Sequence, residues 1–131
     1  MVGAAESSLY LSLWPREVEA LRPELERVRD LHAVLHVHAP LSFTLQGFEV
    51  WSADLAPGKA TWAHKALVVV DKSEALIGGT EPGADNHAVW TTNPSLVDVS
   101  TNTIILDITL LAREAGADPS ATVAPMISAT L

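Results

Sequence analysis

One stretch of the chain combines residue types that could do chemistry with a spacing that could bring them together. Residues 64–79 read HKALVVVDKSEALIGG, so a His and a Lys precede an apolar run, an Asp follows it, and two glycines close the stretch. Side chains of the first two types serve as nucleophiles and as stabilisers of developing charge in group transfer. The apolar run predicts a buried strand, the Asp a tight turn, and the next residues a second strand. Whether this motif is active decides between an enzyme and a sensor domain.

The layout resembles the motif strand of the phospholipase-D-like fold, in which a His is followed two residues later by a Lys and, five after that, by an Asp. The resemblance implies that the His attacks phosphorus and that the Lys steadies phosphate charge. When the stretch is aligned on the strand and on Asp71, His64 takes the place of the nucleophile, but Ala66 stands where the Lys belongs. Lys65 is one residue early, and it points to the opposite face of the strand because side chains alternate.

The rest of the motif is also incomplete. The family pattern continues from the Gly into a Ser and, two residues further, an Asn, and here those places hold Gly79 and Glu81. Two such motifs normally build one active site, and this chain has a single one. The resemblance therefore implies the fold without the phosphodiesterase reaction, and we predict that the chain is not an enzyme. Asp71 is interpreted as a turn residue whose carboxylate caps local backbone N–H groups.

The hydrophobic pattern of the whole chain predicts one α/β domain over residues 1–131. The predicted strands cover residues 8–14, 32–39, 65–70, 74–78 and 87–92, with an edge strand around 48–52, and the predicted helices cover 15–31 and 95–116. Pro23 should kink or split the first helix, and Asn93 should cap the second. The order β-α-β-β-β-β-α indicates a mixed β-sheet packed with helices. Residues 117–131 are expected to form a loosely ordered tail.

The composition excludes several classes of function. The net charge is −8, from 16 acidic and 8 basic residues, so binding of a phosphate backbone by this chain alone is not expected. The chain has no cysteine, which excludes a disulfide framework, a thiolate zinc site and a thiol nucleophile. The apolar runs are short, and neither a transmembrane helix nor a signal peptide is expected. A cytoplasmic location fits these features.

Several segments, taken in order, resemble the C-terminal effector domain of TrmB-type transcriptional regulators. They are LWP at 13–15, EVEALRPEL at 17–25 with the strand that follows it, 67–79, AVWTTNPSLV at 88–97, and DI at 107–108. The resemblance covers about residues 8–112, and it departs from the family at 31–34, where LHAV replaces the usual Arg-Gly-Val entry into the second strand.

The TrmB resemblance implies a degenerate phospholipase-D-like domain that forms a homodimer, with the face around His64 near the two-fold axis. It also implies a sugar-responsive regulator. The winged-helix domain that would bind DNA is expected to lie outside this chain, and the acidic charge agrees with that division of labour.

We expect this domain to bind a small-molecule effector, such as a sugar, in a cleft lined by aromatic rings and histidines. The residues predicted to line it are Trp51, Trp62, His64 and Trp90, with His38 and His87 at the strand ends. Aromatic faces suit the CH groups of sugars, and open α/β sheets bind ligands beyond the carboxyl ends of their strands. The alternative is that the rings cap the core.

His36 and His38 are two residues apart and so share one face of a predicted strand. A His-x-His pair can ligate zinc when a third ligand, such as His64 or His87, lies nearby. The interpretation favoured by the sequence is a pair of polar residues that bond to neighbours or face a pocket or a dimer seam, so neither a metal nor a cofactor is predicted. The alternative functions are a structural dimerisation module without a ligand and a divergent phospholipase-D-like hydrolase.

Overall fold

The computed structural model describes residues 1–52, 65–80 and 87–127, which form a six-stranded mixed β-sheet covered by helices. The strands are β1 (Ser8–Leu13), β2 (His32–Val37), β3 (Glu49–Ser52), β4 (Ala66–Val70), β5 (Glu74–Gly78) and β6 (Ala88–Thr91). They lie in the order β3-β2-β1-β4-β5-β6. The strands β1, β2 and β3 run parallel, and the pairs β1–β4, β4–β5 and β5–β6 are antiparallel. The mixed α/β class is confirmed, with six strands where the predicted order has five, because the short edge strand β3 joins the sheet.

Two long helices pack on opposite faces of the sheet. The helix α1 (Pro15–Leu25) packs Val18 with alternate residues of β1 and β2. The helix α2 (Pro94–Ala115) packs Ile104 and Ile108 on the other face. Short helical turns complete the described elements, at Val2–Ala4, Ser120–Val123 (α3) and Ala124–Met126. The sheet therefore has an α1 face and an α2 face, and side chains alternate between them along each strand.

The helix α2 forms from a stretch that is rich in β-branched residues, which favour a strand by propensity. Asn93 Oδ1 accepts hydrogen bonds from the N–H of Ser95 at 2.9 Å and of Leu96 at 3.4 Å. Gly116 ends the helix in the left-handed conformation, with a φ of 68°. Caps at both ends and an apolar inner side outweigh the strand propensity, so the predicted helix and its Asn93 cap are confirmed.

The predicted end of α1 is wrong. The helix ends at Leu25 instead of residue 31, within one turn of Pro23. Proline has no N–H to donate to the carbonyl of Glu19, which weakens the last turn. The chain then reverses through Asp30, whose φ is 62°. Pro23 lies inside the last turn of α1, which runs as one helix to Leu25, so the helix is not split near Arg22.

The predicted loose tail is also wrong for residues 117–127. The helix α3 and the turn after it fold back onto the α2 face, where Val123 and Met126 are 8% and 1% exposed. The indole N–H of Trp51 donates to Thr122 Oγ1 at 3.3 Å. The segment has too few apolar residues to show a periodic pattern in the sequence. Val123 and Met126 pack against residues of the sheet and of α2.

By length and composition alone, α2 could cross a bilayer, with a mean hydropathy of 1.4 over its most apolar window. A helix packed in a protein core passes the same test, and α2 buries part of its surface on the sheet. Only 33% of that window is buried, however. Other apolar side chains of α2 lie on its outer side, where they do not pack in the core.

Candidate functional site

A cluster of four polar side chains lies under α2, near the carboxyl ends of β1 and β2. Ser12 on β1 and His36 on β2 are directly opposite each other in the parallel pairing, and His38 follows β2. Asp107 comes down from α2. Ser12 Oγ lies 3.0 Å from His36 Nδ1, 3.3 Å from His38 Nε2 and 3.5 Å from Asp107 Oδ2. We call these four residues the polar cluster.

Three of the four residues of the polar cluster are deeply buried, so leaving their polar atoms without hydrogen bonds would be costly. Ser12 is 1% exposed, and His36 and His38 are each 4% exposed. A hydroxyl can donate once and accept twice. The Ser12 hydroxyl therefore contacts all three neighbours at once, and which of its contacts with the two imidazoles donate and which accept depends on the ring tautomers.

Aromatic rings border the polar cluster. The Trp14 ring lies 4.9 Å from the His38 ring, centroid to centroid, and the rings of His36 and His38 meet edge to face at 4.9 Å. Trp51 is the register partner of His36 on β3, so its side chain stands next to His36 on the α2 face. Tryptophan thus borders the histidine pair on both the β1 and the β3 side.

The cluster contains Ser, His and Asp but lacks the geometry of a nucleophilic triad. In a triad, one imidazole nitrogen faces the Ser and the other faces the Asp. Here His36 turns the same nitrogen, Nδ1, toward Ser12 at 3.0 Å and toward Asp107 at 4.0 Å. Ser12 is also almost fully buried, so its hydroxyl is not placed to meet a substrate. The geometry suits binding of a polar group or a cation better than nucleophilic attack.

Two of the residues predicted to line one cleft lie far apart. Trp51 lies on the edge strand β3, on the α2 face. Trp90 lies on the other edge strand, β6, opposite Leu76, which packs in the core of the α1 face. Five strand spacings separate the two edges, about 24 Å. Trp51 and Trp90 therefore do not line a common cleft within one chain, and Trp90 is 59% exposed.

The predicted histidines separate in the same way. His38 follows β2 and belongs to the polar cluster. His87 precedes the edge strand β6, and the strands β1, β4 and β5 lie between β2 and β6. His87 is therefore not the third ligand that the sequence offered to His36 and His38. Trp62 and His64, the other two predicted site residues, lie outside the described residues, as does Glu81.

Sequence reasoning did not assign Ser12 and Asp107 to a site. Ser12 interrupts the apolar strand β1 on the face that also carries Tyr10. Asp107 lies three residues after Ile104 and just before Ile108, both fully buried, so helical spacing alone places it at the edge of the inner side. An acidic residue at that position of an apolar helix was the available signal.

Asp71 is confirmed as a turn residue, but its carboxylate does not cap the turn. Asp71 and Lys72 both have positive φ, 53° and 56°, as in a type I′ turn. The carboxylate oxygens accept hydrogen bonds at 2.8–3.2 Å from the backbone N–H groups of residues 6–8. Desolvation raises the pKa of Asp71, but these hydrogen bonds outweigh it and hold the pKa below its ordinary value. Asp71 thus binds the N-terminal segment through hydrogen bonds.

The buried acid on α1 also has a structural explanation. Glu17, 5% exposed, accepts hydrogen bonds from the N–H of Trp14 at 2.8 Å and from the hydroxyl of Thr80 at 2.6 Å. The first bond caps the start of α1, and the second ties the helix to the chain after β5. Glu17 is therefore satisfied by the fold itself.

Comparison with known proteins found no family model and no curated sequence that matches the chain. The geometry of the described residues therefore carries the functional argument.

Proposed function

We propose that the chain is the ligand-sensing and dimerisation domain of a TrmB-type transcriptional regulator with a phospholipase-D-like fold. It is non-catalytic, and its effector is a small molecule, with sugars as the first class to test. DNA is bound through a separate winged-helix domain. The observation that carries the proposal is the position of α2, which touches the polar cluster with one side and presents an apolar stripe with the other.

The inner side of α2 connects the helix to the polar cluster. Asp107 accepts from Ser12 at 3.5 Å and lies 4.0 Å from His36. The side chain of Asp107 is 26% exposed, whereas that of His36 is 5% exposed. A ligand with hydroxyl groups that entered beside Asp107 could take over its hydrogen bonds. Such a ligand would act on the position of α2.

The outer side of α2 carries what we call the outer stripe. It consists of Leu96, Val99, Leu106 and Leu110, which are 42%, 59%, 67% and 55% exposed. With Thr103 between them, these positions alternate in steps of three and four residues. That spacing is the seam of a two-stranded coiled coil, which favours another helix as the partner of the stripe.

A second copy of α2 fits the outer stripe in antiparallel orientation. With a two-fold axis at the middle of the helix, Val99 of one copy faces Leu110 of the other, and Thr103 faces Leu106. Leu96 near the start of one helix then faces Arg113 near the end of the other. Antiparallel helix dipoles add a favourable term. The stripe is therefore self-complementary, as a two-fold interface requires.

Sensing follows if effector binding and helix pairing favour the same position of α2. A ligand shifts an equilibrium only by its difference in affinity between two states. Because Asp107 and Leu106 are neighbours on one helix, a shift of Asp107 toward a ligand moves the stripe as well. The attached DNA-binding domains would then change their separation.

A thermal-shift panel of monosaccharides, disaccharides and nucleotides tests the sensing part. We expect at least one sugar to raise the Tm of the wild-type chain, and His38→Gln to abolish that rise. His32→Gln is the matched control, because His32 lies on the same strand and face but bonds to Tyr10, at 3.3 Å, outside the cluster. A flat response to every compound would favour the structural dimerisation module.

A further inference from the structure

We propose that the polar cluster is a binding site for a divalent first-row metal ion, with zinc as the ion that fits it best. The ligands are one ring nitrogen of His36, one ring nitrogen of His38 and a carboxylate oxygen of Asp107, which all lie within 4.8 Å of one another. This inference names a ligand of the same polar cluster. It rests on the proposed function only for the role of the metal in effector sensing. Metal binding itself is measured separately from sensing.

The distances in the cluster resemble those around a tetrahedral ion. Zinc binds imidazole nitrogen and carboxylate oxygen at about 2.0–2.2 Å, which separates neighbouring ligand atoms by roughly 3.3–3.6 Å. Two contacts of Ser12 Oγ, with His38 Nε2 at 3.3 Å and with Asp107 Oδ2 at 3.5 Å, fall in this range, and its contact with His36 Nδ1 is shorter, at 3.0 Å. The distance from His36 Nδ1 to Asp107 Oδ2 is 4.0 Å. Contraction by well under 1 Å brings that pair to the tetrahedral spacing.

The donor set selects the class of metal. Two imidazoles and one carboxylate suit zinc and its first-row neighbours, whereas calcium and magnesium prefer oxygen ligands throughout. Three protein ligands leave a fourth position for water or for an effector. A sugar or another hydroxyl-bearing molecule that occupied this position would be held by the metal as well as by the cluster. The metal would thus define the chemistry of the effector.

The hydrogen-bond network and the metal site draw on the same side chains. In the network, His36 Nδ1 and His38 Nε2 lie 3.0 Å and 3.3 Å from Ser12 Oγ. As metal ligands, these nitrogens must be unprotonated and must direct their lone pairs at the ion instead of at Ser12. Ser12 therefore competes with the metal for both histidines. This competition distinguishes a metal site from a cluster that only stabilises the fold.

The test is zinc titration of the chelator-treated full chain by isothermal calorimetry, with cobalt absorption as a readout of tetrahedral geometry. We expect one zinc per chain, and at least about a tenfold loss of affinity in His38→Gln and in Asp107→Asn. Ser12→Ala should retain the site or tighten it, because it removes the competitor and keeps all three ligands. Circular dichroism confirms that each variant is folded.

His32→Gln and Asp98→Asn are the matched controls, since they remove the same side-chain types from the same strand and helix. They should bind zinc like the wild type. If Asp107→Asn does not fold, His38→Gln alone decides. Absence of stoichiometric zinc binding by the wild type, or equal affinity in wild type and His38→Gln, would overturn the proposal. Zinc binding with a flat sugar panel would retain the metal site and reject the sensor; a sugar response without zinc binding would do the reverse.

Discussion

Asp71 accepts a hydrogen bond from the backbone N–H of Ser7 at 2.8 Å, across 64 residues of sequence. The Asp that ends the motif strand is thereby used to hold the N-terminal segment beside the β4–β5 turn. Further bonds come from the N–H of Glu6 at 3.0 Å and of Ser8 at 3.1 Å, and from the Ser7 hydroxyl at 3.0 Å. Four donors on one carboxylate hold the pKa of Asp71 below its ordinary value, and they assign this residue to folding.

Asp71→Asn should lower stability by about 1 kcal/mol at neutral pH, because charge-assisted hydrogen bonds are replaced by weaker ones at a largely solvated site. The folded-state pKa of Asp71 lies below its unfolded value near 3.8. Its stabilisation is therefore complete above about pH 5, and it disappears as the pH falls through the folded pKa. Urea unfolding between pH 3 and pH 7 measures this difference. Glu24→Gln, at an exposed surface carboxylate, is the control, and equal pH profiles for the two variants would contradict the assignment.

Ser12→Ala should destabilise the metal-free chain by about 1–3 kcal/mol, because it removes a buried hydroxyl that contacts His36, His38 and Asp107. Ser8→Ala is a close control on the same strand and face. Ser8 is 5% exposed, and its hydroxyl has no hydrogen-bond partner among the described residues. Replacing it should change the free energy of unfolding by little or slightly stabilise the chain. Denaturation with urea in the presence of a chelator compares the two, and equal losses would argue against Ser12 as the centre of the network.

The outer stripe of α2 should form the dimer. Light scattering at micromolar concentration should give the wild type twice its chain mass of 14.0 kDa, and Leu106→Glu with Leu110→Glu should give a monomer. The double variant places two carboxylates from each copy in the interface. Burying these like charges next to each other strongly disfavours dimerisation. The control is Ile127→Glu, since Ile127 is 56% exposed and lies off the helix.

Two results would count against this seam. A wild type of monomer mass would remove the dimer, and an unchanged dimer in the double variant would move the interface elsewhere, including the face around His64. A wild-type monomer that sediments with phosphatidylcholine vesicles would assign the stripe to a lipid surface, in keeping with the apolarity of α2.

The C-terminal segment should be part of the folding unit. Met126 is 1% exposed and packs with the core of the α2 face, so Met126→Ala should cost about 2–5 kcal/mol. Its neighbour Ile127 is 56% exposed, and Ile127→Ala should change stability by less than about 0.5 kcal/mol. The Tm and urea midpoint of the two variants check this difference. Similar values would mean that the segment contributes little to the fold.

Local chemistry determined much of this protein without reference to tertiary structure. Alternating and continuous apolar runs located the strands, and the Asn93 cap with Gly116 located α2 against its strand propensity, since these signals act between residues close in sequence. The mixed α/β class followed from the order of these elements. The position of Asp71 in a tight turn was readable for the same reason.

The tertiary structure decided which polar residues meet. Ser12, His36 and Asp107 come from β1, β2 and α2, and no periodicity within one element reveals a contact between three of them. Strand order likewise separated Trp51 from Trp90, because these residues occupy opposite edges and opposite faces of the sheet. The partner of Asp71 and the packing of Met126 were decided in the same way. Contacts across a sheet depend on register and topology, which long-range packing selects after the local elements have formed.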